Sequence, residues 1–322
     1  KEERVLSNGK NFSALQYLLS PLVSASKGKS LRDNNLNHQF RKFLQQENFD
    51  VINIHNLHSA GWPISLVKTA LQFAPTVWTL HDCWSFLGSF YPTHCPALND
   101  SHVLELKCFW RSIQSRSYKH SLTAVTPSDW MNKQASSSHW KGFAVRTIHN
   151  PVPKSFFEHL DRVSCKKALG LSLEKPTVLC IAGNLNEERK GGPILEEILM
   201  SNIKDFFQFM LIGQGNQFDH PKIKSLGFVQ DELTLRIAYN AADILLHPAQ
   251  IDNLPNTVAE SMSCGTPVLA FNTGGLPEMV FPDKSGWLVD EMNSNAMIVK
   301  LNSILQSKQA YELRQSTIET AR

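Results

Sequence analysis

Short apolar runs recur along the chain, and segments with helical spacing lie between them. DVINIH (Asp50–His55), TVWTLHD (Thr76–Asp82), LTAVTPS (Leu122–Ser128) and VRTIHN (Val145–Asn150) read as strands in the first part. TVLCIAGN (Thr177–Asn184), FQFMLIGQG (Phe207–Gly215), KSLGFV (Lys224–Val229), DILLHPA (Asp243–Ala249) and TPVLAF (Thr266–Phe271) continue the series. Helices are predicted between them. Gly61 to Phe73 carries Ile64, Val67 and Leu71 on one face, and Phe109 to His120 follows. Ser128 or Asp129 caps a further helix, one more starts at Pro193, and Asp231 caps a helix through Asn240. Strands this short and this apolar are buried on both faces. Alternation with helices therefore predicts an α/β protein with parallel, doubly wound sheets.

The pattern breaks at Pro151, Pro153 and the irregular stretch to Arg162, which sets a domain boundary between residues 1–150 and 151–322. Residues 1–35 are rich in Ser, Asn and Lys and show little periodicity. The chain opens on Lys1 rather than Met, so its start reads as trimmed or poorly ordered. No apolar run reaches the length of a membrane span.

Charge adds little. A formal net charge of +3 on 322 residues gives no reason to expect a nucleic-acid partner, although it suits an anionic ligand. The cysteines, Cys83, Cys95, Cys108, Cys165, Cys180 and Cys264, are scattered, and Cys180 and Cys264 lie in apolar elements. They read as buried free thiols of a reducing cytosol. A metal cluster of Cys83, Cys95 and Cys108 with His81 and His94 is the alternative, but no CxxC pair supports it.

In open parallel sheets ligands bind beyond the carboxyl ends of strands. The polar residues there include His55 to His58, His81-Asp82, Thr126 to Ser128, Gly183-Asn184, Gly213-Gln214-Gly215 and the turn at Asp252. That turn, DNLPNTVAESMSCG (Asp252–Gly265), is the most informative segment. It sets Asp252 and Glu260 on either side of Asn253, Leu254, Pro255, Asn256 and Thr257. Pro255 suits the first helical position, and Cys264-Gly265 ends the helix. Glu260 can hold a diol, or it is solvated while Asp252 and Asn253 cap the helix. In GNLNEERKGG (Gly183–Gly192), Arg189 and Lys190 either grip phosphate oxygens or form a solvated basic turn. The loop lacks the ending of a P-loop. Gly213 and Gly215 form a GxG that favours a tight turn, and nothing supplies GxGxxG after the first strand. In NTGGLPEMV (Asn272–Val280), Gly274 and Gly275 permit close approach of an anion, while Glu278 braces the loop in the favoured reading. His81 can bond a sugar hydroxyl with Asp82 orienting it, or brace a loop; His55 and His58 are weaker candidates. Neither GxSxG nor HExxH is present, and no DxD-like pair stands at a strand end.

Taken in order, several segments resemble the family-4 retaining glycosyltransferases of the GT-B fold, in particular members of the bacterial exopolysaccharide or capsule type. They are WTLHDCWSF (Trp78–Phe86), TPSDWM (Thr126–Met131), RKG (Arg189–Gly191), LIGQG (Leu211–Gly215), LPNTVAESMSCGTPVLAFNTGGLPEMV (Leu254–Val280) and GWLV (Gly286–Val289). The resemblance implies two Rossmann-like domains facing across a cleft. The N-terminal one would be the acceptor side and incomplete, and the C-terminal one would bind the donor. It implies transfer of a sugar from a nucleotide-diphosphate sugar to an acceptor hydroxyl with retention, in polysaccharide or glycan synthesis. By motif, Glu260 would hold the donor ribose, Asp252 would lie near the donor sugar, and Arg189 and Lys190 would meet the diphosphate. His81 and the Asn253–Asn256 backbone would sit beside the transferred sugar, with Thr257, Gly183, Gly213 and Gly215 lining the donor site. No metal or cofactor beyond the donor is implied. The acceptor would be a saccharide or lipid-linked saccharide, in the cytoplasm, with peripheral attachment to the inner membrane face left open. Two departures stand out: Asp252 where Glu is usual, and Asn184 where many members have Arg. The first strand and Gly-rich loop of the acceptor domain are expected before residue 1, and the returning C-terminal helix is expected to be cut at Arg322. The alternatives are a GT-B-type sugar-nucleotide epimerase or phosphorylase, and a non-catalytic nucleotide-sugar-binding fragment.

Overall fold

The computed structural model describes residues 26–92, 101–215, 220–307 and 309–321. The chain divides into two compact units. One comprises the described residues up to Val125 together with Ala135–Arg146; the other comprises Thr126–Gln134 and Thr147 onward.

The first described element of the first unit is helix α1 (Ser26–Gln46). Its polar composition hides a stripe of Leu36, Phe40 and Leu44, all buried, at a spacing of four. Strand β1 (Ile52–His55), helix α2 (Ser65–Ala70), strand β2 (Thr76–Thr79) and the short helix α3 (Trp84–Leu87) follow. Helix α4 (Ser101–Ser115), strand β3 (Leu122–Thr126), helix α5 (Asp129–Ser136) and strand β4 (Ala144–Thr147) complete this part of the chain. The sheet order is β1-β2-β3-β4, and β2 pairs in parallel with both β1 and β3. Trp78, Phe109, Trp110 and Trp140 form its aromatic core, with the Trp110 and Trp140 indole N–H groups donating to the Ser85 carbonyl and hydroxyl. Helix α4 starts eight residues before the Phe109 predicted for it, because Val103 and Leu106 extend the buried stripe ahead of Phe109 and Ile113. The segment after β2 forms α3 rather than running straight on as a loop; His94 and Cys95, members of the alternative metal cluster, lie outside the described residues.

The second unit takes in most of α5 and contains helix α6 (Arg162–Ala168), strand β5 (Thr177–Asn184), helix α7 (Gly192–Met200), and strands β6 (Gln208–Gln214) and β7 (Ile223–Ser225). Helix α8 (Glu232–Ala241), strand β8 (Ile244–His247), helix α9 (Asn256–Ser263), and strands β9 (Val268–Phe271) and β10 (Gly286–Val289) come next. Helices α10 (Ser294–Gln306), α11 (Gln309–Glu312) and α12 (Arg314–Ala321) close it. Asp231 caps α8 by accepting from the Thr234 N–H at 2.8 Å, as its position before the helix predicts.

All six strands of this unit are parallel, in the order β10-β9-β8-β5-β6-β7. The chain therefore starts in the middle of the sheet, builds outward through β6 and β7, and returns to the other side at β8. The reversal between β5 and β8 is a topological switch point, where adjacent connections leave on opposite faces and open a crevice. Every residue of β8 and β9 is buried. One apolar cluster, including Leu195, Ile198, Met297 and Leu301, covers one face of the sheet. A second, including Leu179, Tyr239, Val258 and Met262, covers the other. Burial on both faces explains why these strands read as continuous apolar runs.

Candidate active site of the second unit

The carboxyl end of β5 runs through Gly183 and Asn184 into a 3₁₀ turn at Glu188–Lys190. Gly191 fixes this turn. Its φ is +81°, and a Cβ there would lie 1.9 Å from the Pro248 carbonyl oxygen, so only glycine lets the loop touch the exit of β8. The Gln250 N–H donates to the Arg189 carbonyl at 3.0 Å and ties the two loops together. The Lys190 side chain reaches the switch point. It borders a cavity of about 80 Å³ between the ends of β5 and β8, together with Gly183, His247, Pro248 and Thr257. The Arg189 guanidinium pairs with Glu187 at 2.7 Å.

The Asp252 turn is held by the double glycine. A Cβ on Gly274 would meet the Asp252 carbonyl oxygen at 1.9 Å, and one on Gly275 would meet that of Asn253 at 1.7 Å. The Gly275 N–H donates to the Asp252 carbonyl at 3.0 Å. These glycines thus admit this chain's own backbone. Asp252 and Asn253 are buried. Asn253 Oδ1 accepts from Ser128 Oγ at 2.5 Å, and Ser128 caps α5 by accepting from the Met131 N–H. Glu278 braces that same helix start rather than its own loop: its carboxylate accepts from the Asp129 and Trp130 N–H groups at 2.7 and 2.6 Å.

Pro255 sits one place earlier than expected. It is the N-cap residue of α9, with ψ 123°, and Asn256 is the first helical residue. No side chain caps the helix, so Asp252 and Asn253 are not its caps. Gly265, with φ +78°, ends it. Glu260 lies one turn beyond Thr257 on the same helix, and Thr257 borders the cavity. The fully buried Tyr239 donates its hydroxyl to Glu260 Oε2 at 2.9 Å. Burial raises the Glu260 pKa; the Tyr239 hydrogen bond opposes the rise and Glu232 adds to it.

Asp252 shows the opposite balance. Burial alone would raise its pKa, but the His247 imidazole and the Lys190 ammonium outweigh it and hold the carboxyl well below the usual carboxylate range. Asp252 Oδ2 lies 2.5 Å from Lys190 Nζ and 3.4 Å from His247 Nε2, and Oδ1 accepts the Asn253 N–H at 3.0 Å.

Gly213 has a packing role: a Cβ would meet the Ala182 carbonyl oxygen at 2.1 Å, where the β5–β6 register shifts. Gly215 faces the Asn186 and Asn184 side chains, and Asn216 lies outside the described residues. A Cβ on Gly183 would meet nothing within 4 Å.

His81 belongs to the first unit. There, His55 Nδ1 and His81 Nε2 are 2.9 Å apart, so the pair shares one proton between facing nitrogens. Burial lowers the pKa of both; for His81, His55 adds to the fall. Asp82 contacts His58 at 3.1 Å and accepts the Trp84 N–H, and His58 stacks on Trp84. The weaker candidate His55 is thus the residue facing His81, and Asp82 pairs with His58. Among the described residues no group of three or more His, Cys, Asp or Glu is arranged to hold a metal ion. Cys83, Cys165, Cys180 and Cys264 are buried free thiols, and Cys108 is exposed.

The second unit therefore brings together Asp252, Asn253, Lys190, Thr257 and Glu260 around the ends of β5 and β8. His247 and Tyr239 were missed. His247 is the last residue of β8, the position that marked His55 and His81 as candidates. No local signal marks Tyr239, which reaches Glu260 only through the packing of α8 on α9.

Residues 15–156 match the family described as Glycosyltransferase Family 4, and residues 175–307 match Glycosyl transferases group 1. A putative colanic acid biosynthesis glycosyl transferase of Escherichia coli is 24% identical over 277 residues, covering 78% of this chain and 66% of that protein. A GDP-mannose-dependent alpha-mannosyltransferase of Mycolicibacterium smegmatis is 28% identical over 145 residues, 43% of this chain and 35% of that protein. The chain thus spans less than two thirds of these curated relatives. Among solved structures, sucrose-phosphate synthase of Thermosynechococcus elongatus superposes with a TM-score of 0.72 at 18% identity, covering 93% of this chain and 75% of that one. HepE of Anabaena, solved with UDP, gives 0.64 at 17% identity, covering 88% and 76%.

The chain has the GT-B fold of these solved structures, with two α/β units. The Family 4 model matches the earlier part of the chain and the group 1 model the later part. No helix among the described residues is long and apolar enough to cross a membrane.

Proposed function

We propose that the protein transfers a sugar from a nucleotide-diphosphate sugar to an acceptor hydroxyl, with retention of anomeric configuration, in polysaccharide or other glycan synthesis. One observation carries this reading. Within the group 1 match, Lys190 borders the switch-point cavity beside Thr257, and the paired acid Glu260 stands one turn further along the same helix. A cation at the crevice suits a diphosphate, and a half-buried carboxylate suits the two hydroxyls of a ribose.

In this reading Glu260 binds the ribose while Lys190 and Arg189 bind the diphosphate. The Asn253–Thr257 segment and Gly183 face the donor, and Gly213 and Gly215 shape its floor. For His81 the resemblance alone assigns a place near the transferred sugar. The acceptor oxygen attacks the anomeric carbon on the face from which the diphosphate leaves. The bond to the phosphate oxygen breaks with its electron pair going to that oxygen, and the acceptor proton passes to the leaving phosphate. Lys190, Arg189 and the α9 amide groups stabilise the departing charge, and no metal or cofactor is needed. The acceptor in this reading is a saccharide or lipid-linked saccharide, met in the cytoplasm or at the inner membrane face; a relative named for colanic acid biosynthesis supports glycan synthesis.

The test is a donor assay with UDP- and GDP-hexoses, following nucleoside diphosphate release and the product anomer by NMR. Release with the donor's own anomeric configuration is expected. An inverted product, or binding without release in the full-length protein, would sink the proposal.

A further inference from the structure

Asp252 stands behind Lys190 rather than beside the ligand space. Lys190, His247, Gly183 and Thr257 border the cavity at the ends of β5 and β8, and Asp252 does not. Its side chain is 7% exposed, against 23% for Lys190. Both carboxylate oxygens are engaged within the unit, Oδ2 by Lys190 at 2.5 Å with His247 at 3.4 Å, and Oδ1 by the Asn253 N–H at 3.0 Å. The backbone on either side of that carboxylate is pinned, because Gly274 and Gly275 leave no room for it to move toward them.

A lysine ammonium has three N–H donors on a flexible four-carbon stem. One donor goes to Asp252, which leaves two for phosphate oxygens and fixes the stem before any ligand arrives. A charge held in advance needs no reorganisation when negative charge develops on a leaving group. The aspartate is one methylene shorter than a glutamate, which keeps its carboxylate back in this buried position.

We propose that Asp252 is a positioning residue: through its ion pair it sets the Lys190 ammonium where the donor's diphosphate binds, and it does not itself touch the donor sugar. This rests on the donor-site reading above and sharpens it. Asp252 then acts on every ligand that carries the diphosphate, whether or not a sugar is attached. A carboxylate that bonded sugar hydroxyls would act only on the sugar nucleotide.

The test is calorimetric titration of UDP and GDP, and of their hexose esters, into the unaltered chain, Asp252→Asn, Lys190→Gln and the double variant. Asp252→Asn is expected to shift the affinity for the nucleoside diphosphate and for its sugar ester by the same factor, at least about fivefold. In the Lys190→Gln background the same change is expected to shift neither. Asp252→Glu keeps the charge and serves where Asp252→Asn folds poorly; it too moves both ligands together. A change confined to the sugar ester, or one that persists without Lys190, would overturn the positioning role alone. If the unaltered chain bound neither ligand, the donor-site reading itself would fall, and the positioning role with it.

Discussion

Replacing Tyr239 by Phe isolates one hydrogen bond on which Glu260 depends. Tyr239 is fully buried and donates to Glu260 Oε2 at 2.9 Å. Phenylalanine fills the same space and leaves no tyrosine atom unpaired, so the change falls on the carboxylate. A hydrogen bond to a charged acceptor contributes about 1.5–3 kcal/mol. Glu260 is only half-buried and water can replace part of the bond, so the lower end, about 1.5 kcal/mol, applies. The pH dependence follows from the direction of the shift. Burial raises the Glu260 pKa above its unfolded value, so ionisation weighs against the folded state, and the stability associated with the neutral form is lost as pH rises through the folded value. The Tyr239 hydroxyl offsets part of that loss by favouring the ionised form. Without it, Glu260 rises further. Urea unfolding is therefore expected to show the full destabilisation near about pH 8 and a much smaller one near about pH 4, where the carboxyl is largely neutral. In a Glu260→Gln background the effect should nearly vanish. Equal destabilisation at both pH values, or in both backgrounds, would refute the reasoning.

Two glycines of the same loop separate packing from ligand contact. Gly191→Ala places a Cβ 1.9 Å from the Pro248 oxygen at φ +81°, and should destabilise by about 3 kcal/mol or more in thermal unfolding. Gly183→Ala meets nothing within 4 Å, so stability should hold within about 0.5 kcal/mol while nucleotide affinity falls; a matching loss of stability would remove Gly183 from the ligand surface. In the first unit, burial lowers the pKa of His55 and His81, so the unfolded chain takes up protons that the folded one refuses as pH falls below about 6.5. Stability should decline across that window, less steeply in a His81→Asn variant, and NMR titration should show both rings neutral near about pH 7; charged rings there would contradict the shared-proton pair.

The strands were legible because burial on both faces of a parallel sheet writes a local signal, the apolar run. Thr177–Asn184 was delimited residue for residue. Helix α1 was not, since its three buried apolar residues are spread through a 21-residue helix of mostly polar sequence. The Asp252–Gly265 turn was legible as a loop running into a short helix because its residue types and spacing are local. What the spacing could not show is which atoms each group meets. That Gly274 and Gly275 admit the Asp252–Asn253 backbone, and that Tyr239 reaches Glu260, depend on contacts between segments distant in the chain. Helix start residues shift for a related reason: Pro255 satisfies the rules for both the cap and the first turn, and the path of the buried Ile251–Pro255 segment decides between them.

The central claim is that the crevice between β5 and β8 binds a nucleoside diphosphate through Lys190 and Glu260. Calorimetric titration of UDP and GDP into the unaltered chain and into Glu260→Ala tests it most directly. The account predicts saturable binding of one of the two by the unaltered chain, weaker in the variant by at least about 1.5 kcal/mol, roughly tenfold. Equal affinity in the two proteins would contradict it.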